Sequence, residues 1–332
     1  MGYVVPGRRL AHISSCNRRP HAAASCSPFQ RPGRHRVGDP ADGALLRKEG
    51  FVQEEILLMR STAVPEEIGT LLDNNMVATI GSQEAAMALS GIAEKRSTVA
   101  EAHLKIDCGL GRYGFLPGEM DKILGIYSYM QNLALSGVYT KLPSGLSLKK
   151  AQLCIADFEH VLTTLRQANI ETGTVHALDS TSLFLYDTLP QYDMVRVGAA
   201  MTGRVPGKHN LAQVGSIIAP LADLRWIPAG TPVAGKRRFR HPVRVGLIPV
   251  GYADGFLMEK PAYAGACPLA LSGRGYGKVT VQLENGENVR VIGLVGQNHM
   301  VVDLTRKGAS VGMLAQVGVN PLFAGVLPRI LR

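Results

Sequence analysis

Over residues 41–205 the apolar positions follow two alternating periods. Short strand-like runs occupy 55–60, 76–80, 102–107, 133–140, 172–177 and 194–199. Between them, apolar residues recur every three or four positions, the spacing of one helix face, at 65–74, 83–95, 119–130, 149–168 and briefly at 182–186. Strands alternating with helices of this length predict parallel strands joined by crossover helices. Six strands are readable where a closed barrel of this kind takes about eight, and the only room for two more lies before residue 41. From residue 211 the pattern changes to short β-like runs at 214–218, 243–250, 278–283, 289–295 and 300–304, with little helical periodicity. Asn285-Gly286 stands between two of these runs and predicts a type I′ hairpin. The expected architecture is therefore α/β: a (β/α)8 TIM-like barrel, incomplete in its readable strands, followed by a separate all-β domain.

Residues 1–40 fit neither period. They are rich in Arg, Pro, Ser, His and Cys, and hold seven Arg, no Lys and the single acid Asp39, a balance of +6. The other 292 residues carry 29 basic and 25 acidic side chains, so only +4 of the net +10 belongs to the body of the chain. A nearly balanced body argues against a nucleic-acid partner. The first 40 residues are expected to be disordered. An organellar transit segment lacking its amphipathic helix, a basic nucleic-acid arm through residues 8–36, and out-of-frame translation of a damaged gene remain alternatives. This sets three expected regions: 1–40, 41–210 and 211–332. The remaining composition, 46% hydrophobic and 19% charged, allows a large core. No run approaches the roughly 18 apolar residues of a membrane span. Five cysteines at 16, 26, 108, 154 and 267 form no CxxC pair, which argues against a disulfide framework and a structural zinc site; no metal is expected.

Four segments carry chemistry. Lys105-Ile106-Asp107-Cys108-Gly109-Leu110-Gly111-Arg112-Tyr113-Gly114-Phe115 leaves the end of a predicted strand for a glycine-rich loop, where barrel enzymes place functional groups. His176-Ala177-Leu178-Asp179-Ser180 ends another strand, and Asp193-Met194-Val195-Arg196-Val197-Gly198-Ala199-Ala200 ends the next. Ile248-Pro249-Val250-Gly251-Tyr252-Ala253-Asp254-Gly255-Phe256 opens a turn in the β region. In order and spacing these resemble the alanine racemase family over roughly residues 41–332.

That resemblance implies a cytoplasmic, homodimeric isomerase of pyridoxal phosphate fold type III that interconverts L- and D-alanine and supplies D-alanine to the cell wall. Arg196 is implied to face the pyridine nitrogen and keep it unprotonated. Ser180 with the backbone at Gly198 and Ala199 is implied to hold the phosphate, Tyr3 to be a remnant of a phosphate-binding tyrosine, and His176 to lie beneath the ring. Arg112 is implied to bind the substrate carboxylate, with Lys105 beside it at a position often carbamylated in the family. Tyr252 and Gln297 are implied on the substrate side, Tyr252 reaching across the dimer interface. The partner is a small-molecule amino acid, with no membrane.

The chain departs from the family pattern where the reaction is most demanding. Racemisation needs bases on both faces of the α-carbon. The family's Schiff-base lysine stands in a segment whose continuation Met1–Pro6 resembles, yet no lysine precedes Lys48. The second base is a tyrosine, and residues 230–236 contain none. Residues 7–40 read accordingly as frameshifted, or as following a start codon placed too late. Lys141 replaces a histidine, Asp179 an asparagine, Gln297 a methionine, and Ala324-Gly325 a phosphate-binding tyrosine. Covalent attachment of the cofactor is thereby in question, with Lys141, at a strand end, the substitute donor. Turnover is expected to be impaired. The alternatives are a non-catalytic pyridoxal phosphate-binding or dimerisation scaffold and a nucleic-acid binder acting through residues 8–36.

Overall fold

The structure, a computed structural model, describes residues 14–16, 34–205, 210–234, 237–257, 279–320 and 324, with backbone alone at 14–16 and 237. These fall into two units that divide after Leu211.

In the first unit, eight strands form one curled sheet: β1 (Ser14–Cys16), β2 (Arg34–Val37), β3 (Glu55–Ser61), β4 (Val77–Ile80), β5 (Ala100–Ile106), β6 (Leu133–Thr140), β7 (Thr174–Asp179) and β8 (Met194–Val197). Their order is β1-β8-β7-β6-β5-β4-β3-β2. Every pairing from β2 to β8 is parallel, whereas β1 runs antiparallel to β8 with Ser15 opposite Arg196. Among the described residues no ladder joins β1 to β2, and the sheet they form is a curled half-barrel. Helices α1 (Pro40–Lys48), α2 (Pro65–Asp73), α3 (Gln83–Lys95), α4 (Met120–Tyr129), α5 (Leu148–Gln167) and α6 (Ser180–Leu185) follow β2 to β7 in turn.

Strand pleating sends alternate side chains to opposite faces. One face supplies Ile56, Leu58, Leu104, Ile106 and Val138, which pack with Leu71, Leu89, Phe158 and Leu162 of the helices into one apolar core. Each such side chain removed from water contributes about 1.5–3 kcal/mol. Local signals start the helices. Asp39 caps α1 by accepting from the Ala41 amide at 2.9 Å, with Pro40 in the first turn. Ser82 caps α3, and Asp179 with Ser182 forms a capping box on α6.

The composition of residues 1–40 predicts disorder, yet Arg34–Val37 is a parallel strand paired with β3, and Asp39 caps a helix. Arg34 and Arg36 hide this strand from a hydrophobic pattern. Arg36 is fully buried because Glu55 meets it at 3.0 Å and the His35 carbonyl accepts from it at 2.9 Å, while Glu55 also holds Arg34 at 3.1 Å. The pairing with Glu55 offsets part of the cost of burying the guanidinium, whose Nε has no partner among the described residues. Other readings of residues 1–33, apart from β1, lie outside the described residues.

The second unit is β9 (Ser216–Pro220), β10 (Asp223–Ile227), β11 (Pro232–Val233), β12 (Arg237–Arg238), β13 (Val243–Ile248), β14 (Thr280–Leu283), β15 (Asn288–Ile292), β16 (Met300–Asp303) and β17 (Leu314–Gly318). Seven of these strands form an antiparallel sheet ordered β10-β13-β16-β15-β14-β17-β9, and β11 pairs with β12. Alternate residues such as Val281, Leu283, Val289, Val291, Val302 and Val317 build its core. The hairpin at Asn285-Gly286 forms, but not as type I′. Gly286 takes a φ of 84° and Asn285 does not share that region. The Gly286 amide donates to the Leu283 carbonyl at 2.9 Å and the Leu283 amide to the Glu287 carbonyl at 2.8 Å. The loop is a tight turn through Glu284 and Asn285 followed by a left-handed glycine, the longer hairpin form. Among the described residues no helix is long and apolar enough to cross a membrane.

Two glycines give opposite expectations for stability. At Gly137, opposite His103 in the β5–β6 ladder, an added Cβ would lie 2.6 Å from the imidazole Cε1 and 2.7 Å from the Thr174 carbonyl oxygen. Gly137→Ala is expected to destabilise the chain by about 1–3 kcal/mol, the usual cost of overpacking. At Gly91, inside α3, nothing lies within 4 Å of the new atom. Gly91→Ala is expected to stabilise by about 1 kcal/mol. Urea denaturation of both variants checks the pair; a neutral or stabilising Gly137→Ala would refute the packing assigned to His103.

Candidate active site

On β5 the pleat that sends Leu104 and Ile106 to the helices turns His103, Lys105 and, just past the strand, Asp107 the other way, and all three are buried. The inner face of this sheet is thus polar where barrel interiors are ordinarily layered with branched apolar side chains. Asp107 shapes the loop that follows. Its Oδ1 accepts from the amides of Gly109 at 3.0 Å and Leu110 at 2.7 Å, and its Oδ2 from Arg112 at 2.8 Å. The chain then folds back, with the Phe115 amide donating to the Lys105 carbonyl at 2.9 Å. Gly114, at a φ of 129°, sits where a side chain would strike the Asp107 backbone. Lys105 Nζ donates to the Arg112 carbonyl at 3.2 Å and lies 5.5 Å from the centre of the Tyr113 ring. Burial pushes the Lys105 amine down to about 8, opposed by Asp107 and helped by Arg112, Arg196 and Lys141.

A hydrogen-bonded chain crosses the inner face behind it. Arg196, on β8, is fully buried, and its Nη2 donates to the carbonyls of Thr140 and Ala177, each at 2.7 Å. Its Nη1 bonds His176 Nδ1. A guanidinium only donates, so Nδ1 must be the acceptor and the proton of His176 sits on Nε2. That nitrogen lies 3.0 Å from His103 Nδ1, which therefore accepts in its turn. Both imidazoles are held neutral. Burial, then the Arg36, Arg34 and Arg196 charges, lower His103 to about 3; burial, then Arg196, lowers His176 far below its ordinary value. Tyr139 stacks on His176 with 4.6 Å between ring centres, and its hydroxyl is 2.9 Å from Thr79 Oγ1. Arg196 Nε–H has no partner among the described residues.

Where β7 and β8 end, a small cradle forms. Ser180, buried at the first turn of α6, accepts at Oγ from the amides of Gly198 at 2.9 Å and Ala200 at 3.2 Å, on either side of Ala199. The Ser180 hydroxyl proton has no acceptor among the described residues. One residue earlier, Asp179 Oδ2 stands 4.0 Å from Lys141 Nζ, just beyond β6. The Lys141 amine is partly open to solvent and lowered by burial; Asp179 raises it, and Arg196 and Arg112 lower it. Lys105, Arg112, Lys141, His176, Ser180, Arg196, Gly198 and Ala199 therefore share the inner face and carboxyl ends of β5 to β8, the usual location of barrel chemistry. Two cavities of about 290 and 390 Å³ open elsewhere, beside the amino-terminal ends of β5 and β6, the first lined mainly by apolar side chains and the second by polar and apolar ones together.

Tyr252 and Gln297 lie in the second unit and are neighbours there. The Tyr252 amide donates to the Gly296 carbonyl at 3.1 Å and the Ala253 amide to the Gln297 carbonyl at 2.9 Å. Tyr3 lies outside the described residues. Three residues of the cluster have no role in the sequence reading: His103, Asp107 and Tyr139. A period of two counted back from Lys105 points to His103, and an Asp ahead of Gly-x-Gly signals a side chain that caps its own loop. Tyr139 carries no such mark.

Residues 6–206 match the family described as alanine racemase, N-terminal domain, and residues 214–320 the one described as alanine racemase, C-terminal domain. An alanine racemase of Carboxydothermus hydrogenoformans is 30% identical over 275 residues, covering 79% of this chain and 68% of its own. One from Nostoc sp. is 27% identical over 304 residues, covering 87% and 74%. Among solved structures, alanine racemase from Bartonella henselae with covalently bound pyridoxal phosphate shares the fold at a TM-score of 0.68 and 22% identity, over 87% of this chain and 76% of that one.

The neutral histidine pair gives a signed pH dependence. The folded-state value of His103, about 3, lies below the ordinary 6.5, so between those limits the unfolded chain binds a proton that the folded chain refuses. Stability is expected to fall as pH drops through that window, by about 1.4 kcal/mol per pH unit from this one residue. His103→Asn, which keeps an acceptor for His176 Nε2–H, is expected to flatten the slope. Urea denaturation at a series of pH values checks this; an unchanged slope would mean that the folded chain protonates His103.

Proposed function

The chain belongs to the alanine racemase family, and from that premise we propose that it binds pyridoxal phosphate and the carboxylate of a small amino acid at the ends of β5 to β8, with much-reduced interconversion of L- and D-alanine. The single observation that carries this reading is the set of donors left over there: an unpaired Nε–H on a buried guanidinium and an uncommitted hydroxyl proton above two converging amides. A phosphorylated pyridine needs such a pair, one donor for its ring nitrogen and a compact cradle for its phosphate. The residues present therefore fit the group. When bound, it supplies the electron-withdrawing ring that acidifies the α-carbon.

The protein's own groups have separable tasks. Arg196 offers Nε–H to the ring nitrogen and, since a guanidinium keeps its proton, leaves that nitrogen unprotonated. The carbonyls of Thr140 and Ala177 and the ring of His176 fix its plane. Ser180 and the backbone at Gly198 and Ala199 receive the phosphate. Arg112, on the loop that Asp107 organises, pairs with the substrate carboxylate in two parallel hydrogen bonds. Lys105 stands beside it; its amine, near 8, is neutral often enough at physiological pH to take up carbon dioxide, and the resulting anion orients Arg112. Tyr252 and Gln297 complete the substrate side in a homodimer. A cytoplasmic location agrees with a substrate drawn from the free amino-acid pool.

Racemisation needs a proton acceptor on each face of the α-carbon. Residues 230–236, where the resemblance implies the second base, contain no tyrosine, so that face lacks this base. Purified chain saturated with pyridoxal phosphate is expected to form D-alanine from L-alanine no faster than free pyridoxal phosphate does, measured by chiral chromatography. Formation above a thousandth of the ~10 s⁻¹ median enzyme turnover would overturn the impairment. Failure to retain pyridoxal phosphate in equilibrium dialysis would overturn the cofactor assignment.

A further inference from the structure

The larger cavity at the amino-terminal ends of the strands, about 390 Å³, is lined by polar side chains that serve nothing else in the fold. It lies where α2 leads into β4 and where β5 and β6 begin, at the opposite ends of the strands from the cluster around Arg196. Glu101 is the one ionisable side chain in its lining, and it is exposed, with no ion pair or hydrogen bond among the described residues. The side chains of Asn75 and Thr98 on the rim are also without partners there, and Ser136 Oγ is buried and unpartnered. Leu72 and Met76 supply an apolar wall.

Ser136 stands there because β6 carries one residue more than its neighbour. Leu135 is opposite Ala102 and Gly137 is opposite His103, so Ser136 has no counterpart on β5. Such a bulge interrupts the ladder and re-aims the side chains around it. Paired residues share a face of the sheet, so Leu135 goes with Ala102 towards the helices and Gly137 goes with His103 inward. The opposite wall is fixed as well. Arg47 donates to the carbonyls of Asn74 and Asn75, each at 2.9 Å, and so holds the turn between α2 and β4. We infer that this cavity is a binding site for small aliphatic amines, with the ammonium group on Glu101 and the hydrocarbon chain against Leu72 and Met76.

The leftover groups select this class of ligand. An ammonium group brings three donors and no acceptor, and the acceptors on offer are the Glu101 carboxylate and the side-chain oxygens of Asn75, Thr98 and Ser136. An anion would meet Glu101 with no cation in the lining to offset it. Arg47, behind Asn75, is committed to the carbonyls of Phe51, Glu54, Asn74 and Asn75. Among the described residues no three metal-ligating side chains gather. The volume falls within the roughly 300–1,000 Å³ of small-molecule pockets. One end of the sheet thus carries surplus positive charge and the other a single uncompensated carboxylate. This site needs no cofactor and is independent of the cofactor assignment above.

The test uses the full chain without added pyridoxal phosphate, whose aldehyde would consume a primary amine. Hexylamine, hexanol and hexanoate share one chain and differ in charge at pH 7. Their binding is followed by ligand-detected saturation-transfer NMR, with dissociation constants from calorimetric titration. Hexylamine is expected to bind about tenfold more tightly than the other two, the usual scale of a charge-assisted hydrogen bond. Glu101→Gln is expected to abolish that preference with an unchanged urea midpoint, since Glu101 is exposed and unpaired. Glu101→Lys is expected to transfer the preference to hexanoate. Ser136→Ala is expected to weaken hexylamine several-fold and gives a second readout independent of charge. Equal binding of hexylamine and hexanol overturns the inference, because the cavity is then only an apolar hollow. A preference for hexylamine retained in Glu101→Gln, or no binding of hexylamine to the parent chain, overturns it as well.

Discussion

A guanidinium inside a sheet must have its hydrogens accepted by something, and Arg196 meets that requirement with two strand-end carbonyls and one imidazole nitrogen. The consequences spread outward. Through the carbonyls of Thr140 and Ala177, one charge on β8 ties β6, β7 and β8 together. The imidazole that accepts from Arg196 is locked in one tautomer, and its neighbour is locked in turn. Removing the charge would leave a run of buried acceptors without donors, a costlier defect than the loss of an ordinary surface pair.

Positive charge is concentrated on this inner face. Arg36 and Arg196 are buried, Lys105 nearly so, and Glu55, Asp107 and Asp179 offset them only in part. Such an interior lowers the affinity of its own bases for protons and favours anions that arrive from outside. Both effects agree with a site for a phosphorylated ligand and a carboxylate, and both follow from where the strand pleat sends each side chain.

The α/β framework was legible wherever a strand is covered by helices, because burial writes a dense apolar run; β3 to β8 all read this way. β2 was not, since Arg34 and Arg36 occupy half of its four positions and their burial depends on Glu55, which no local pattern reveals. Edge strand β10 went unread for another reason: with a neighbour on one side only, Asp223–Ile227 shows no sustained alternation of burial. In the site, Lys105 and Arg112 stood out through the glycines between them. His103 and Tyr139 did not, because their roles arise from register between β5, β6 and β7, a long-range property. The left-handed position at Gly286 was visible, but Asn285 does not take the second one; its side chain accepts from the Glu287 amide and donates to the distant Gly308 carbonyl.

The cradle at Ser180 is complete without a guest. Its hydroxyl oxygen already satisfies the amides of Gly198 and Ala200, so both loops hold their places whether or not an anion arrives. In a cradle that needs its ligand to stay folded, losing the chemistry would also cost the shape. Here the two are uncoupled: a lineage in which turnover lapses would keep a well-folded receptacle, and drift at the bases would meet no resistance from the fold.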